Sequence, residues 1–153
     1  MRTLHKRCVL HYLRRFAMSH CLVIDDSKLI RTIHTRMLEQ LGLRVSEAEH
    51  GADALEICAT GMPDLVLVDW NMPVMDGFAF LKALRAMPGG QAPKVVLCTI
   101  EGDLEHITCA LAEGADEYIM KPFDAEILAA KLAATGIAIP ERPQRGDPLA
   151  DGR

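Results

Sequence analysis

The stretch Leu65-Val66-Leu67-Val68-Asp69 places four consecutive apolar side chains directly before a carboxylate. A continuous aliphatic run of this kind is typical of a central strand in a parallel sheet, where helices cover both faces. The Pro63-Asp64 turn signal comes immediately before the run and sets where the strand begins. We therefore predict a fully buried strand that ends at Asp69.

Segments of the same kind recur on both sides of this strand. Apolar runs at 20–24, 43–48, 94–98 and 117–120 alternate with segments of helical period. Strict alternation of strand and helix requires parallel strands joined by right-handed crossovers. The sequence thus predicts an α/β fold, a doubly wound, flavodoxin-like sheet of five parallel strands in the order 2-1-3-4-5.

Apolar residues at helical spacing predict which face of each helix packs on the sheet. These residues are Ile30, Ile33, Met37, Leu38 and Leu41 in the first helix, Phe78, Leu81 and Leu84 in the third, and Leu104, Ile107 and Leu111 in the fourth. The predicted helix starts are capped by Ser27, Asp103 and Asp124. Gly42 and Gly114 are expected to end the first and fourth helices in the left-handed conformation.

Polar and charged side chains stand at the predicted carboxyl ends of four strands. They are Asp25 and Asp26 after the first strand, Asp69 at the end of the third, Thr99 of the fourth and Lys121 of the fifth. In a doubly wound sheet these ends share one edge, and ligands bind there at the topological switch point. Three carboxylates, a hydroxyl and an ammonium are therefore expected to converge.

The charge of this group predicts a bound cation. Neighbouring carboxylates repel one another unless positive charge joins them, and a single lysine is the only fixed cation expected nearby. Mg²⁺ suits the set, because it takes oxygen ligands and keeps some of its waters. A carboxylate beside Mg²⁺ and a lysine is well placed to accept a phosphoryl group, since both cations neutralise the phosphoryl oxygens.

Short motifs surround these strand ends. They are Asp25-Asp26, Asp69-Trp70-Asn71-Met72-Pro73, Asp76-Gly77, Thr99, Tyr118 and Lys121-Pro122-Phe123. With these motifs the chain, from about residue 20 to 135, resembles the receiver domains of bacterial response regulators. Its Asp-Trp-Asn-Met-Pro run is similar to that of single-domain chemotaxis receivers.

The resemblance implies a role for each residue at the predicted metal site. Asp69 would be the phosphoacceptor. Asp26, Asp69 and the backbone carbonyl of Asn71 would bind Mg²⁺ directly, and Asp25 would act through a metal-bound water. Lys121 would bind the phosphoryl oxygens.

The resemblance also implies a switch. Thr99 would turn its hydroxyl onto the phosphoryl group, and Tyr118 would rotate inward behind it, which remodels the face of the fourth helix, last strand and last helix. The Lys121–Pro122 peptide bond would be cis. One residue departs from the family pattern: Ile100 stands where the family usually has a small side chain.

A receiver of this kind would be a phosphorylation-dependent signalling switch rather than an enzyme, because it catalyses only its own phosphorylation and dephosphorylation. Its partners would be a histidine kinase or histidine phosphotransferase and a downstream protein target. Two forms remain open. One is a stand-alone chemotaxis-type receiver, and the other is a phosphorelay intermediate or phosphate sink that passes the group to a histidine phosphotransferase.

Two other classes of protein fit parts of the pattern. A phosphotransferase of the haloacid-dehalogenase type needs a second Asp two residues after its nucleophile, where this chain has Asn71, so the general acid is missing. A flavodoxin-like cofactor binder needs a phosphate-binding loop after the first strand, where Asp25-Asp26 would repel a phosphate.

Charge is unevenly distributed along the chain. Residues 1–17 carry five basic and no acidic side chains, whereas residues 18–140 carry nine basic and eighteen acidic ones. The acidic body disfavours nucleic acid as the main ligand.

The basic N-terminal extension is either an amphipathic segment for an anionic surface or a misassigned start ahead of Met18. We favour the second interpretation, because the fold needs nothing before Ser19.

The remaining expectations concern boundaries and compartment. We assign residues 18–139 to the receiver domain and expect the Pro-, Gly- and charge-rich residues 140–153 to be disordered. No apolar run is long enough for a membrane span. The five cysteines form no Cys-x-x-Cys pair, which favours free thiols in the cytoplasm.

Overall fold

A single parallel sheet organises the part of the chain that the computed structural model describes, residues 19–100 and 104–140. Its strands are β1 (His20–Ile24), β2 (Arg44–Ala48), β3 (Leu65–Asp69), β4 (Lys94–Thr99) and β5 (Glu117–Met120). The helices are α1 (Lys28–Gln40), α2 (Gly51–Thr60), α3 (Gly77–Ala86), α4 (Leu104–Ala112) and α5 (Ala125–Ala134). All strand pairs are parallel and the order is β2-β1-β3-β4-β5, which confirms the predicted fold. The N-terminal extension, Asp103 and residues 141–153 of the tail lie outside the described residues.

Successive side chains along each strand point to opposite faces of the sheet, where they pack into two separate hydrophobic cores. On one face Val66 and Val68 pack with α2, α3 and α4, and on the other Leu65 and Leu67 pack with α1 and α5. These four side chains are at most 1% exposed, as the continuous apolar run predicts. In the described part of the chain, no helix has the length and hydropathy needed to cross a membrane.

Side-chain caps fix where the helices begin at the carboxyl edge of the sheet. The Asp76 and Asp124 carboxylates accept hydrogen bonds from backbone N–H groups of Ala79 (2.7 Å) and Ile127 (2.8 Å). Ser27 Oγ caps α1 in the same way, at a longer 3.4 Å. Each cap satisfies an N–H group that has no partner within its helix, so the loops that carry the polar strand ends are held short.

The inward face predicted for α4 is partly wrong. Leu104 is 76% exposed and Leu111 is 44% exposed, whereas Ile107 and Ala110 are buried. The buried face of the helix runs through Ile107 and Ala110 and is therefore rotated about the helix axis relative to the prediction. Ile33 in α1 was also predicted inward and is 40% exposed.

Arg85 at the end of α3 joins the two loops that lead into β4 and β5. Its Nη1 donates to the carbonyls of Gly90 and Pro93, both at 2.8 Å. Nε and Nη2 donate to the Gly114 carbonyl at 3.1 and 2.7 Å, and Nη2 also lies 3.1 Å from Asp116 Oδ2. The side chain is only 10% exposed, so these carbonyls depend on it as their donor.

Replacing Arg85 with methionine should lower the free energy of unfolding by roughly 2–4 kcal/mol, because several half-buried acceptors lose a charged donor. Urea denaturation of both proteins measures the change. Lys94→Met is the matched control, since Lys94 Nζ lies 3.8 Å from the same Asp116 and its side chain is 44% exposed. That control should lose less than about 1 kcal/mol. Equal losses in the two variants would contradict the role assigned to Arg85.

Candidate functional site

Three carboxylates and one ammonium lie together at the carboxyl edge of the sheet. Asp25, Asp26 and Asp69 each present an oxygen, and these oxygens lie within 4.8 Å of one another. Lys121 Nζ is 2.8 Å from Asp25 Oδ2 and 3.1 Å from Asp69 Oδ1. Asp25 and Asp69 are buried, whereas Asp26 is exposed. The structure thus brings together all four charged residues that sequence analysis assigned to the strand ends.

The start of α3 packs directly against the backbone of Asp69. Gly77 N–H donates to the Trp70 carbonyl at 2.9 Å. A Cβ atom on Gly77 would lie 2.5 Å from the Asp69 carbonyl oxygen and 2.9 Å from Trp70 Cα. Only glycine therefore permits this approach. The sequence marked Asp76-Gly77 as a helix start, but the reason for a glycine is visible only in the packing.

Both carboxylate oxygens of Asp25 already have protein partners. Oδ1 accepts from the Ser27 backbone N–H at 2.9 Å, and Oδ2 accepts from Lys121 Nζ. The Asp25 backbone carbonyl accepts from Arg31 Nη1 at 2.7 Å, and Arg31 Nε lies 3.5 Å from Glu47. Asp25 is thus held in one orientation, with Lys121 fixed between it and Asp69.

The pKa values of Asp69 and Lys121 are both raised, but for different reasons. Burial raises the pKa of Asp69, and the charge of Lys121 opposes that rise. Burial acts against the charged form of Lys121, but its hydrogen bond to Asp25 and the charges of Asp69 and Asp25 outweigh this and raise its pKa. Lys121 is therefore a fixed positive charge at neutral pH.

The donor set fits a hard divalent cation. Three carboxyl groups outnumber the one ammonium, so the pocket is richer in acidic than in basic groups. Asp69 Oδ1 is buried, and among residues 19–100 and 104–140 no group gives it a well-aligned hydrogen bond. Oxygen ligands from side chains, together with waters, are what Mg²⁺ prefers.

The other predicted site residues belong to β4, to β5 and to the residues that directly follow these strands. Thr99 is 9% exposed at the end of β4. The Lys121–Pro122 peptide bond is cis. Tyr118 is half-buried on β5, and Ile100, directly after Thr99, is 63% exposed.

A stack of aromatic rings next to the acceptor was not anticipated from the sequence. The Trp70 ring stacks on Phe78 (5.7 Å between centroids) and on His106 (5.3 Å). The stack links the loop after β3 to α3 and α4. Phe78 was predicted to lie in the core, but it is only half-buried in this stack, and Phe80 takes the fully buried position.

His34 is a second residue that sequence reasoning missed. It is 6% exposed in α1, and its ring stacks on Phe123 with centroids 4.6 Å apart. Burial and the charge of Lys121 lower the pKa of His34 to about 4, although Asp25 opposes the shift. The imidazole is thus neutral at physiological pH and packs as an aromatic ring behind the Lys121 loop. Its place on the same helix face as Leu38 was the available sequence signal.

The chain is similar to known proteins in both sequence and structure. The profile of the response regulator receiver domain matches residues 21–133. Chemotaxis protein CheY1 of Helicobacter pylori is 38% identical over 113 residues, which is 72% of this chain and 91% of that protein. A chemotaxis protein CheY homolog of Campylobacter jejuni is also 38% identical over 113 residues, 72% of this chain and 87% of its own length.

Solved structures give the same result. The chemotaxis protein CheY4 of Vibrio cholerae is 34% identical, superposes with a TM-score of 0.74, and covers 78% of this chain and 99% of its own. A receiver domain protein from Clostridium thermocellum, 29% identical, has a TM-score of 0.70 over 77% of this chain and 94% of its own. With its parallel five-stranded sheet and its acidic pocket beside Lys121, the chain belongs to the response regulator receiver domain family.

Proposed function

We propose that this receiver domain is a signalling switch in which Asp69 accepts a phosphoryl group from a phosphohistidine of a histidine kinase or histidine phosphotransferase. The observation that carries the proposal is the position of Lys121 Nζ, 3.1 Å from a buried Asp69 oxygen and 2.8 Å from Asp25. This arrangement combines a nucleophilic carboxylate with a fixed cation for the phosphoryl oxygens.

The transfer exchanges one bond to phosphorus for another. An Asp69 carboxylate oxygen forms a P–O bond while the P–N bond to the donor imidazole breaks, so the product is an acyl phosphate and a histidine that takes up a proton. Lys121 pairs with the phosphoryl oxygens, and the Thr99 hydroxyl then donates a hydrogen bond to one of them. The protein acts only on its own aspartate, which makes it a switch and not an enzyme with an outside substrate.

Mg²⁺ would be held by Asp26, Asp69 and the backbone carbonyl of Asn71, with Asp25 acting through a water. When bound, it neutralises negative charge on the carboxylates and on the phosphoryl group. The support for this ligand set is the cluster of three acidic oxygens and the buried Asp69 Oδ1 that lacks a well-aligned donor.

The output is proposed to be protein–protein binding of the chemotaxis type. The relatives that carry the name chemotaxis protein support this form. A surface suited to a downstream protein target is also present on α4, β5 and α5. Its exposed apolar side chains are Leu104 (76%), Leu111 (44%), Met120 (47%) and Ile127 (47%). Exposed apolar residues in one area are typical of protein-binding sites.

A phosphorelay role is the second candidate, with a histidine phosphotransferase as partner. The observation in its favour is that Leu29 and Ile33 of α1 are 69% and 40% exposed. Leu29 follows Asp26 by three residues, so a docked protein could contact α1 while its histidine reaches Asp69. Both candidates use the same acceptor chemistry and differ in the protein that receives the signal.

Incubation of the protein with Mg²⁺ and acetyl phosphate should add one phosphoryl group, seen as an increase in intact mass. The added group should be released by neutral hydroxylamine, which cleaves acyl phosphates, and it should not form when EDTA removes the metal. A protein that gains no mass under these conditions or with a phosphorylated histidine kinase would contradict the proposal. So would a label that resists hydroxylamine.

A further inference from the structure

The ring of Tyr118 is covered by an ammonium group. Lys131 Nζ of α5 lies 4.2 Å from the centroid of the Tyr118 ring, well within the range of a cation–π interaction. The same Nζ donates to Glu117 Oε1 at 3.2 Å. Glu117 Oε1 also accepts from the backbone N–H of Tyr118 at 3.0 Å. One carboxylate oxygen therefore ties the ammonium to the backbone of the residue whose ring it covers.

We propose that Lys131, oriented by Glu117, is a positioning residue that holds the Tyr118 ring in the partly exposed position seen here (the outward state) and so sets the balance between the two states of the switch. The inference rests on the proposed switch function and on the part in it that the family resemblance implies for Tyr118. It adds a determinant that lies outside the phosphorylation pocket, on the last helix and the edge strand.

The physical reason is that inward rotation of the ring breaks the contact with the cation. The attraction between an ammonium and a ring face requires the charge within about 6 Å of the centroid. Lys131 and Glu117 side chains are 30% and 21% exposed, so solvent screens the pair only in part. Because the ammonium is tied to Glu117, it does not follow a ring that moves toward Thr99. The contact therefore stabilises only the outward state.

The size of the effect follows from the strength of such contacts at half-exposed sites. Loss of the cation should raise the inward-to-outward ratio of Tyr118 in the unphosphorylated protein by about two- to five-fold. Glu117→Gln should act in the same direction and more weakly, because the ammonium remains but loses its ionic partner. Lys131→Arg should keep a ratio close to that of the natural protein, since a guanidinium also stacks on aromatic faces.

The test is NMR of the full chain with ¹³C-labelled tyrosine, comparing the natural protein with Lys131→Met. The chain contains two tyrosines, and Tyr118→Phe assigns the signal. The matched control is Lys82→Met, which removes the longer cation–π contact of 5.5 Å over Phe78. We expect a larger inward population in Lys131→Met, none of that change in Lys82→Met, and rescue in Lys131→Arg.

Two results would overturn the proposal, and they are distinguishable. If the Tyr118 ring responds to phosphorylation in the natural protein but Lys131→Met has the same inward population before phosphorylation, only the role proposed for Lys131 is wrong. If the ring of the phosphorylated natural protein does not change orientation, the switch role of Tyr118 is wrong, and so is the role proposed for Lys131. Phosphorylation of Asp69 itself is measured separately by mass, so failure of the acceptor assignment is not confused with either result.

Discussion

Replacing Asp69 with asparagine should abolish stoichiometric phosphorylation while the fold remains intact. An amide has almost the same shape as the carboxylate but is no nucleophile, so no acyl phosphate can form. Intact mass after incubation with Mg²⁺ and acetyl phosphate measures the loss. Because burial raises the pKa of Asp69, the folded protein disfavours its charged form, and a neutral amide there should not lower the free energy of unfolding.

Asp76→Asn is the matched control for this experiment. It makes the same substitution seven residues along the chain, and asparagine keeps the ability to cap α3 through Ala79 N–H. The control protein should take up the phosphoryl group as the natural protein does. Full, hydroxylamine-sensitive labelling of Asp69→Asn would mean that another carboxylate is the acceptor, and peptide mapping would then identify it.

Replacing Lys121 with methionine should tighten Mg²⁺ binding and at the same time disable the switch. The ammonium lies 2.8 and 3.1 Å from the carboxylates of Asp25 and Asp69, where it competes with the metal for negative charge. Removing one positive charge a few ångströms from a divalent ion should increase Mg²⁺ affinity roughly tenfold or more. Calorimetric titration with MgCl₂ measures this change.

The loss of switching has a different cause and a different measurement. Without Lys121 the phosphoryl oxygens lack their fixed cation. Phosphorylation can then no longer stabilise the state in which Thr99 contacts the phosphoryl group and Tyr118 lies inward. The Tyr118 ring should then remain outward in the NMR spectrum after phosphorylation. Lys28→Met, which removes an exposed lysine at the start of α1, should leave both the metal affinity and the ring response unchanged. A normal ring response in Lys121→Met would show that the lysine role is wrong.

The wrong prediction of the buried face of α4 shows what residue spacing alone does not determine. Leu104, Ile107 and Leu111 have the spacing of one helix face, and from spacing alone they were all predicted to be buried. The structure exposes two of them, because the packing partners of a helix, and not the spacing of its apolar residues, decide which side chains are buried. The exposed pair contributes instead to the surface proposed for the target protein.

The sequence by itself determined the five parallel strands, their order and the strand ends at which Asp25, Asp69 and Lys121 appear. The parallel strands and their ends follow from local hydrophobic period and from the handedness of crossovers, which need no knowledge of distant side chains. The order was chosen among the known doubly wound arrangements. Tertiary structure alone decided which oxygen of Asp25 meets Lys121, why residue 77 has no side chain, and that Lys131 covers Tyr118. Each of these contacts joins separate segments, as with Asp25 and Lys121, which are 96 positions apart in the sequence. Its geometry depends on how helices rotate and side chains orient when those segments pack.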